Sequence, residues 1–202
     1  MLQALPATGD LVVGDGAGAL WTAQLGGTTR QIRSADESAV TAVRASSDGA
    51  LLAVGQESGV LTVHRTADWT IAHKVALEGT IARIEFDPRG RDLLVNAESG
   101  FVHLVALGAG RSVPWSAMQV RAHDVRYSPD GERIAITTHE GGTWFYSMPD
   151  RQWRYVHDHP TELSSGQFSP DGSRFVSIDQ DGTAVVRDVR ATFAAPGDGV
   201  RP

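Results

Sequence analysis

Cysteine is absent from all 202 residues. That absence removes disulfides, thiolate metal sites, iron–sulfur clusters and cysteine nucleophiles together, and leaves the core to supply stability. Cations are scarce as well: 18 Lys and Arg stand against 24 Asp and Glu, a formal net charge of −6. Binding a phosphate backbone needs a clustered cationic excess, so no nucleic-acid partner is expected. No apolar run approaches the roughly 20 residues that span a bilayer, and the opening MLQALPATGDLVV has no basic segment leading into an apolar one. A cytoplasmic chain without a membrane partner is therefore expected. No GxSxG occurs. The glycine-rich GDGAGAL at 14–20 lies between short strand-like runs with no helix behind it, so a hairpin is expected there and not a phosphate cradle.

What the chain has in abundance is punctuation. Glycines at Gly49, Gly90, Gly131 and Gly172 are spaced by 41 residues, and each is followed ten positions later by another, at Gly59, Gly100, Gly141 and Gly182. The first glycine of each pair closes a corner whose fullest form is Ser128-Pro129-Asp130-Gly131. Proline pre-sets φ at the first central position, aspartate can bond to amides ahead of it, and glycine accepts a positive φ. Ser47 replaces the proline in one corner and Arg89 the aspartate in another, but glycine stands in all four, as it must if backbone conformation is the requirement. The second glycines read as tight hairpins. Upstream, Gly18 keeps the interval to Gly59 while Gly9 is one place out of step, which marks residues 1–36 as a worn copy.

Between these marks lie short runs with period-two alternation, the pattern of strands. ARIEF, DLLVN, FVHLV and RSVPW fill one unit; HDVRY, RIAIT, TWFYS and QWRYV fill the next. Five units are expected, at 1–36, 37–77, 78–118, 119–159 and 160–190, with 191–202 as a C-terminal tail. The fifth offers only Ala191 to Ala195 where its fourth strand belongs. Four strands per period of about 40 residues predict an all-β fold, a β-propeller of about five antiparallel blades. Val43, Ile84 and Val125 should occupy equivalent inner-strand positions.

From about 37 to 190 the units resemble the WD-repeat β-propellers, whose blades carry the same SPDG corner and a DG turn before the third strand; TolB-type propellers share the PDG corner and are a second relative. The WD-repeat resemblance implies a Trp-Asp pair closing each third strand, where this chain has His64-Arg65, Val105-Ala106, Tyr146-Ser147 and Arg187-Asp188. Only Asp188 fits. The Gly-His pair before the first strand is missing too, so the hydrogen-bonded network of those residues is expected to be absent. The resemblance also implies closure at seven blades. Five units leave three arrangements: a piece or degenerate relative of a longer propeller, which we favour, a ring closed by the N-terminal region against the fifth blade, or two chains completing each other.

Candidate chemistry is sparse. His157-Asp158-His159 offers two imidazoles and a carboxylate, with His123 and Asp124 one strand away, but the i, i+2 spacing needs a further ligand and a solvated loop explains it. No metal or cofactor is expected. Ser46, Ser47, Ser128 and Ser169 are corner residues, Trp115, Trp144 and Trp153 are expected to pack between blades, and His103 is expected in the core, satisfied by backbone. The leading expectation is a non-catalytic interaction scaffold or sensing module; the alternative is a propeller enzyme, such as a metal-dependent hydrolase at the central channel. In a propeller, loops joining strands two and three share a face with the inter-blade loops. Here that set is acidic: Glu57, Glu98, Glu140 and Asp181 from hairpins, and Asp36, Glu37, Glu78, Asp158 and Glu162 from inter-blade loops. This face is expected to receive a protein partner with a Lys- or Arg-rich segment.

Overall fold

A computed structural model describes residues 1–24, 26–35, 38–108, 111–119 and 121–194. Five antiparallel sheets follow one another along the chain. The first holds β1 (Leu2–Ala4), β2 (Leu11–Gly14), β3 (Leu20–Ala23) and β4 (Thr29–Arg33). The second holds β5 (Val40–Ala45), β6 (Leu51–Gln56), β7 (Val60–Arg65) and β8 (Ile71–Ala76). The third is β9 (Ile81–Phe86), β10 (Asp92–Ala97), β11 (Phe101–Ala106) and β12 (Arg111–Gln119); the fourth is β13 (Ala122–Tyr127), β14 (Arg133–Thr138), β15 (Gly142–Ser147) and β16 (Gln152–His157). The last has three strands, β17 (Leu163–Phe168), β18 (Arg174–Asp179) and β19 (Ala184–Asp188), and then a short helix, α1 (Val189–Ala194), begins where a fourth strand was looked for.

The register repeats with the sequence. Val43 faces Val54, Ile84 faces Val95, Val125 faces Ile136 and Gly166 faces Ser177 in the pairing of first and second strands. Each of these four pairings slips once, leaving Thr41, Ala82, His123 and Ser164 as the extra residue of a bulge. A bulge bends the strand and re-aims a side chain.

The corners close as their composition requires. Gly49, Gly90, Gly131 and Gly172 have φ of 71°, 68°, 66° and 68°, and the hairpin glycines Gly59, Gly100, Gly141 and Gly182 have 80°, 86°, 82° and 83°. Ser46, Ser128 and Ser169 donate their hydroxyls to Asp48, Asp130 and Asp171 at 2.6, 2.5 and 2.6 Å and accept the N–H of Leu51, Arg133 and Arg174. In the corner closed by Gly90, Asp87 stands in the serine position and binds Arg91 Nε at 2.7 Å.

Blades pack face to face through apolar side chains. Leu20, Val40, Leu52 and Val54 join the first pair; Ile81, Ile84, Leu93 and Val95 join the second to the third. Leu94, Val102, Val125 and Ile136 lie between the third and fourth, and Phe145, Phe168 and Phe175 between the fourth and fifth. Burying each such side chain fully is worth about 1.5–3 kcal/mol. Trp144 and Trp153 join the cluster between the third and fourth blades, stacked edge to face at 6.2 Å, while the side chain of Trp115 lies outside the described residues.

Among the described residues the array does not close on itself through its N-terminal strand: β1 pairs with β2 in its own sheet, and no strand of the first blade joins β17, β18 or β19. In β18, Phe175, Ser177 and Asp179 point into the structure, while Val176 and Ile178 point away from it and are each 39% exposed; beside them Val186 is 62% exposed.

A Cβ on Gly141 would meet the backbone oxygens of His159 and Thr161 at 2.3 and 2.7 Å, whereas one on Gly182 would meet nothing within 4 Å. Both substitutions carry the cost of a positive φ, about 1–2 kcal/mol. Gly141→Ala should lose about 1–3 kcal/mol more than Gly182→Ala in urea denaturation; equal losses would contradict the packing described. The corner carboxylates predict an acid limb. The Ser169 hydroxyl, then the Ser173 N–H, hold Asp171 down at about 2, and the Ser46 hydroxyl and Ala50 N–H lower Asp48 likewise. A carboxyl depressed in the folded state stabilises above its unfolded value near 3.8 and loses that contribution as pH falls through the folded value. Stability of Asp171→Asn should therefore decline less than wild type between about pH 4 and pH 2.

Candidate functional site

Two sets of backbone hydrogen bonds, each recurring along the chain, sort the loops by face. Glu57, Glu98, His139 and Gln180 donate their N–H to the carbonyls of Ala39, Thr80, Arg121 and Glu162, which ties each second-to-third-strand hairpin to the loop entering that blade. Thr66, Leu107, Met148 and Val189 do the same to Ala50, Arg91, Glu132 and Ser173 at the opposite end of the strands. The hairpins and inter-blade loops thus share one face.

On that face Glu57, Glu78, Glu98, Glu140 and Asp181 are exposed, and none has an ion pair among the described residues. Asp158 and Glu162 differ: both are half-buried, Asp158 held by Arg187 and Glu162 by His139. Asp36 and Glu37 lie outside the described residues.

The three residues of the 157–159 stretch diverge. His157 Nε2 lies 2.9 Å from the carbonyl of His159, Asp158 binds Arg187, and the ring of His159 turns inward. There its Nδ1 is 3.2 Å from Asp179 Oδ2 and its Nε2 is 2.8 Å from Ser177 Oγ. This corrects the expectation that such a network is missing: the fifth blade keeps a histidine just before its first strand, with aspartate and not glycine ahead of it, and the sequence signal was His159 itself. The order carboxylate, imidazole, hydroxyl matches that of a hydrolytic triad, but His159, Asp179 and Ser177 are 2%, 3% and 6% exposed, so no substrate carbonyl can reach the hydroxyl. Burial pushes Asp179 up, yet the Thr183 N–H and His159 outweigh it and leave the carboxyl below its ordinary value. The cluster ties the inter-blade loop to β18. His103 is a second correction: it is buried between strands, neither ring nitrogen has a partner among the described residues, and burial lowers its pKa.

The inner strands carry an ion-pair ladder that single-motif reading did not find, although its spacing is written in the sequence. Arg44, Glu85 and Arg126 stand at the same position in β5, β9 and β13. Glu85 Oε2 is 2.7 Å from Arg44 Nη2 and 3.8 Å from Arg126 Nη1; Arg126 Nη2 reaches Asp124 Oδ2 at 2.8 Å, and Arg83 Nε lies 3.9 Å from Asp124 Oδ1. Burial raises the pKa of Glu85 and of Asp124, against the pull of those guanidiniums. Both carboxylates are committed to arginines, and no group of three His, Asp or Glu side chains among the described residues is arranged to hold a metal ion.

No family model matches the chain, and no curated protein matches it. Solved structures do, in large number. One is the Cps50 (Swd1) β-propeller domain of Myceliophteria thermophila, at a TM-score of 0.78 over 99% of this chain and 69% of that one, with 13% identity. At that identity the likeness establishes the β-propeller fold. No helix among the described residues is long and apolar enough to cross a membrane.

If the buried histidine cluster is structural, a fluorophosphonate probe leaves Ser177 unlabelled in the folded protein, and His159→Ala lowers stability by about 2–4 kcal/mol because Asp179 and Ser177 stay buried without their partner. Labelling of Ser177 under native conditions would overturn that reading.

Proposed function

We propose that this chain is a non-catalytic protein-interaction module that binds through the acid-rich face of its propeller. The observation that carries the reading is the set of five exposed carboxylates, Glu57, Glu78, Glu98, Glu140 and Asp181, on loops that the recurring backbone bonds hold at one end of the strands. Fixed on a rigid frame, these charges add their fields in the solvent above one face, and a Lys- or Arg-rich segment is the complementary partner. The opposite face mixes Arg65, Arg89, Arg91, Arg151 and Arg190 with Asp48, Asp68, Asp130, Asp150, Asp171 and Asp188, so its field largely cancels. The enzyme alternative is disfavoured by the commitment of Glu85 and Asp124 to arginines and by the burial of Ser177.

The test is association kinetics with a fluorescent octalysine peptide. Association should weaken steeply as salt rises, because the attraction is between exposed charges. Glu57→Lys with Glu98→Lys should slow it by roughly tenfold at low salt, whereas the same two-charge change on the opposite face, Asp68→Lys with Glu132→Lys, should leave it nearly unchanged. Equal effects from the two pairs would show that net charge and not this face governs binding.

A further inference from the structure

A cleft of about 350 Å³ opens between the first and second blades, at the end of the strands opposite the acidic loops. Its lining includes Asp10 just before β2, Gln24 and Thr28 from the β3–β4 connection, Arg30 from β4, and Thr66 and Trp69 from the hairpin between β7 and β8. The tryptophan is the unusual member. Trp69 has φ of 63°, a left-handed conformation that is costly for a bulky L-residue and free for glycine. The hairpin itself asks for that conformation, since Arg151, two repeats on, has φ of 53°, and the residue at the intervening repeat position is Gly110. The side chain is then the only choice left open, and this blade places the largest one where glycine fits best.

The hairpin holds the strained residue from both sides. Trp69 donates its N–H to the Arg65 carbonyl at 2.8 Å, its own carbonyl lies 3.3 Å from His64 Nδ1, and Asp68 Oδ1 accepts from the N–H and the hydroxyl of Thr70 at 3.0 and 2.7 Å. Strain that persists because its surroundings over-determine it points to a use. Half-buried, the side chain packs against the apolar cluster of the first two blades and also lines the cleft. Around it the groups are polar and within reach of solvent: Gln24, Thr28 and Arg30 are exposed, and their side chains make no hydrogen bond or ion pair among the described residues. With Asp10 they supply an amide, a hydroxyl, a guanidinium and a carboxylate, donors and acceptors in mixture with no net charge.

That combination selects a ligand. The face of an aromatic ring is electron-rich and attracts polarised C–H groups, and a pyranose presents a patch of C–H groups on one side and a rim of hydroxyls that both donate and accept. A nucleobase suits the cleft less, because Trp69 is the one aromatic wall among the described lining residues. Asp10 opposes a bound anion and Arg30 a bound cation. We infer that this cleft binds a neutral pyranose, with its C–H face on Trp69 and its hydroxyls on Gln24, Thr28, Arg30 and Asp10. The volume lies at the small end of ligand sites, as a mono- or disaccharide requires. The cleft stands apart from the acidic loops, so octalysine results leave the inference standing.

Ligand-observed NMR titration of the intact chain tests it with the methyl glycosides of glucose, galactose and mannose, and with adenosine and glycerol for comparison. At least one glycoside should saturate, and bind at least tenfold more tightly than adenosine, which offers a base, and than glycerol, which offers hydroxyls without a ring. Trp69→Gly relieves the left-handed strain, so it should keep the circular dichroism of wild type and yet weaken that glycoside at least tenfold, while Trp69→Phe, which keeps a ring, weakens it less. Should the glycine variant fail to fold, the paired change Gln24→Ala with Arg30→Gln, both exposed, carries the test and should weaken the same glycoside about tenfold. No saturable binding of any glycoside, adenosine equal to the best of them, a folded Trp69→Gly chain that binds as wild type does, or an unaffected Gln24→Ala, Arg30→Gln chain would overturn the assignment.

Discussion

Everything in this structure depends on the chain reversing twice per unit with a residue at positive φ. An L-residue pays for that conformation and glycine does not, so the interval between glycines sets the interval between strands. Once the corner and hairpin are placed, the same backbone amides fall opposite the same carbonyls in successive blades, as the matched bonds from Glu57, Glu98, His139 and Gln180 show. The constraint also tolerates loss elsewhere. In one corner Asp87 replaces the serine and accepts from the Arg89 N–H and the Arg91 side chain, and the proline is dispensable in another, where Ser47 stands.

Energetically the blades divide labour between their two ends and their faces. Apolar side chains fill the space between neighbouring sheets and supply the driving force. Two sets of inward polar groups find opposites: the ladder from Arg44 through Glu85 to Arg126, and the Asp179–His159–Ser177 cluster. Such buried pairs add little net stability over an apolar alternative, but breaking one is costly, so they specify arrangement more than they strengthen it. Other buried groups stay unmatched. Both ring nitrogens of His103, the Tyr127 hydroxyl and Asn96 Oδ1 are among those buried without a partner among the described residues.

The architecture was legible because it is written in spacing, and spacing survives substitution. The alternation of Val43, Ile84 and Val125, the corners and the worn first unit all followed from local rules about turns and pleats. The sites were less legible, for a physical reason. His159 meets Asp179 and Ser177, and Asn96 meets Ala122, across distances in the chain that no local rule reports. Reading His157, Asp158 and His159 as one stretch missed that consecutive side chains leave a loop in different directions. The ladder at Arg44, Glu85 and Arg126 could have been found by writing the units beneath one another, since the alternation of sign at one repeat position is visible there. The fate of the fifth unit's last strand could not, because a run such as Val189–Ala194 suits a helix as readily as a strand.

The exposed outer side of the last blade has a consequence for how the molecule breathes. In a stack where each sheet touches only its neighbours, stability is shared through nearest-neighbour interfaces. Among the described residues the first and fifth blades have one such interface and the inner three have two. Opening is then graded: amides of β18 and β19 exchange through excursions that leave the third and fourth blades intact, while those of β10 and β14 wait for events near the global limit.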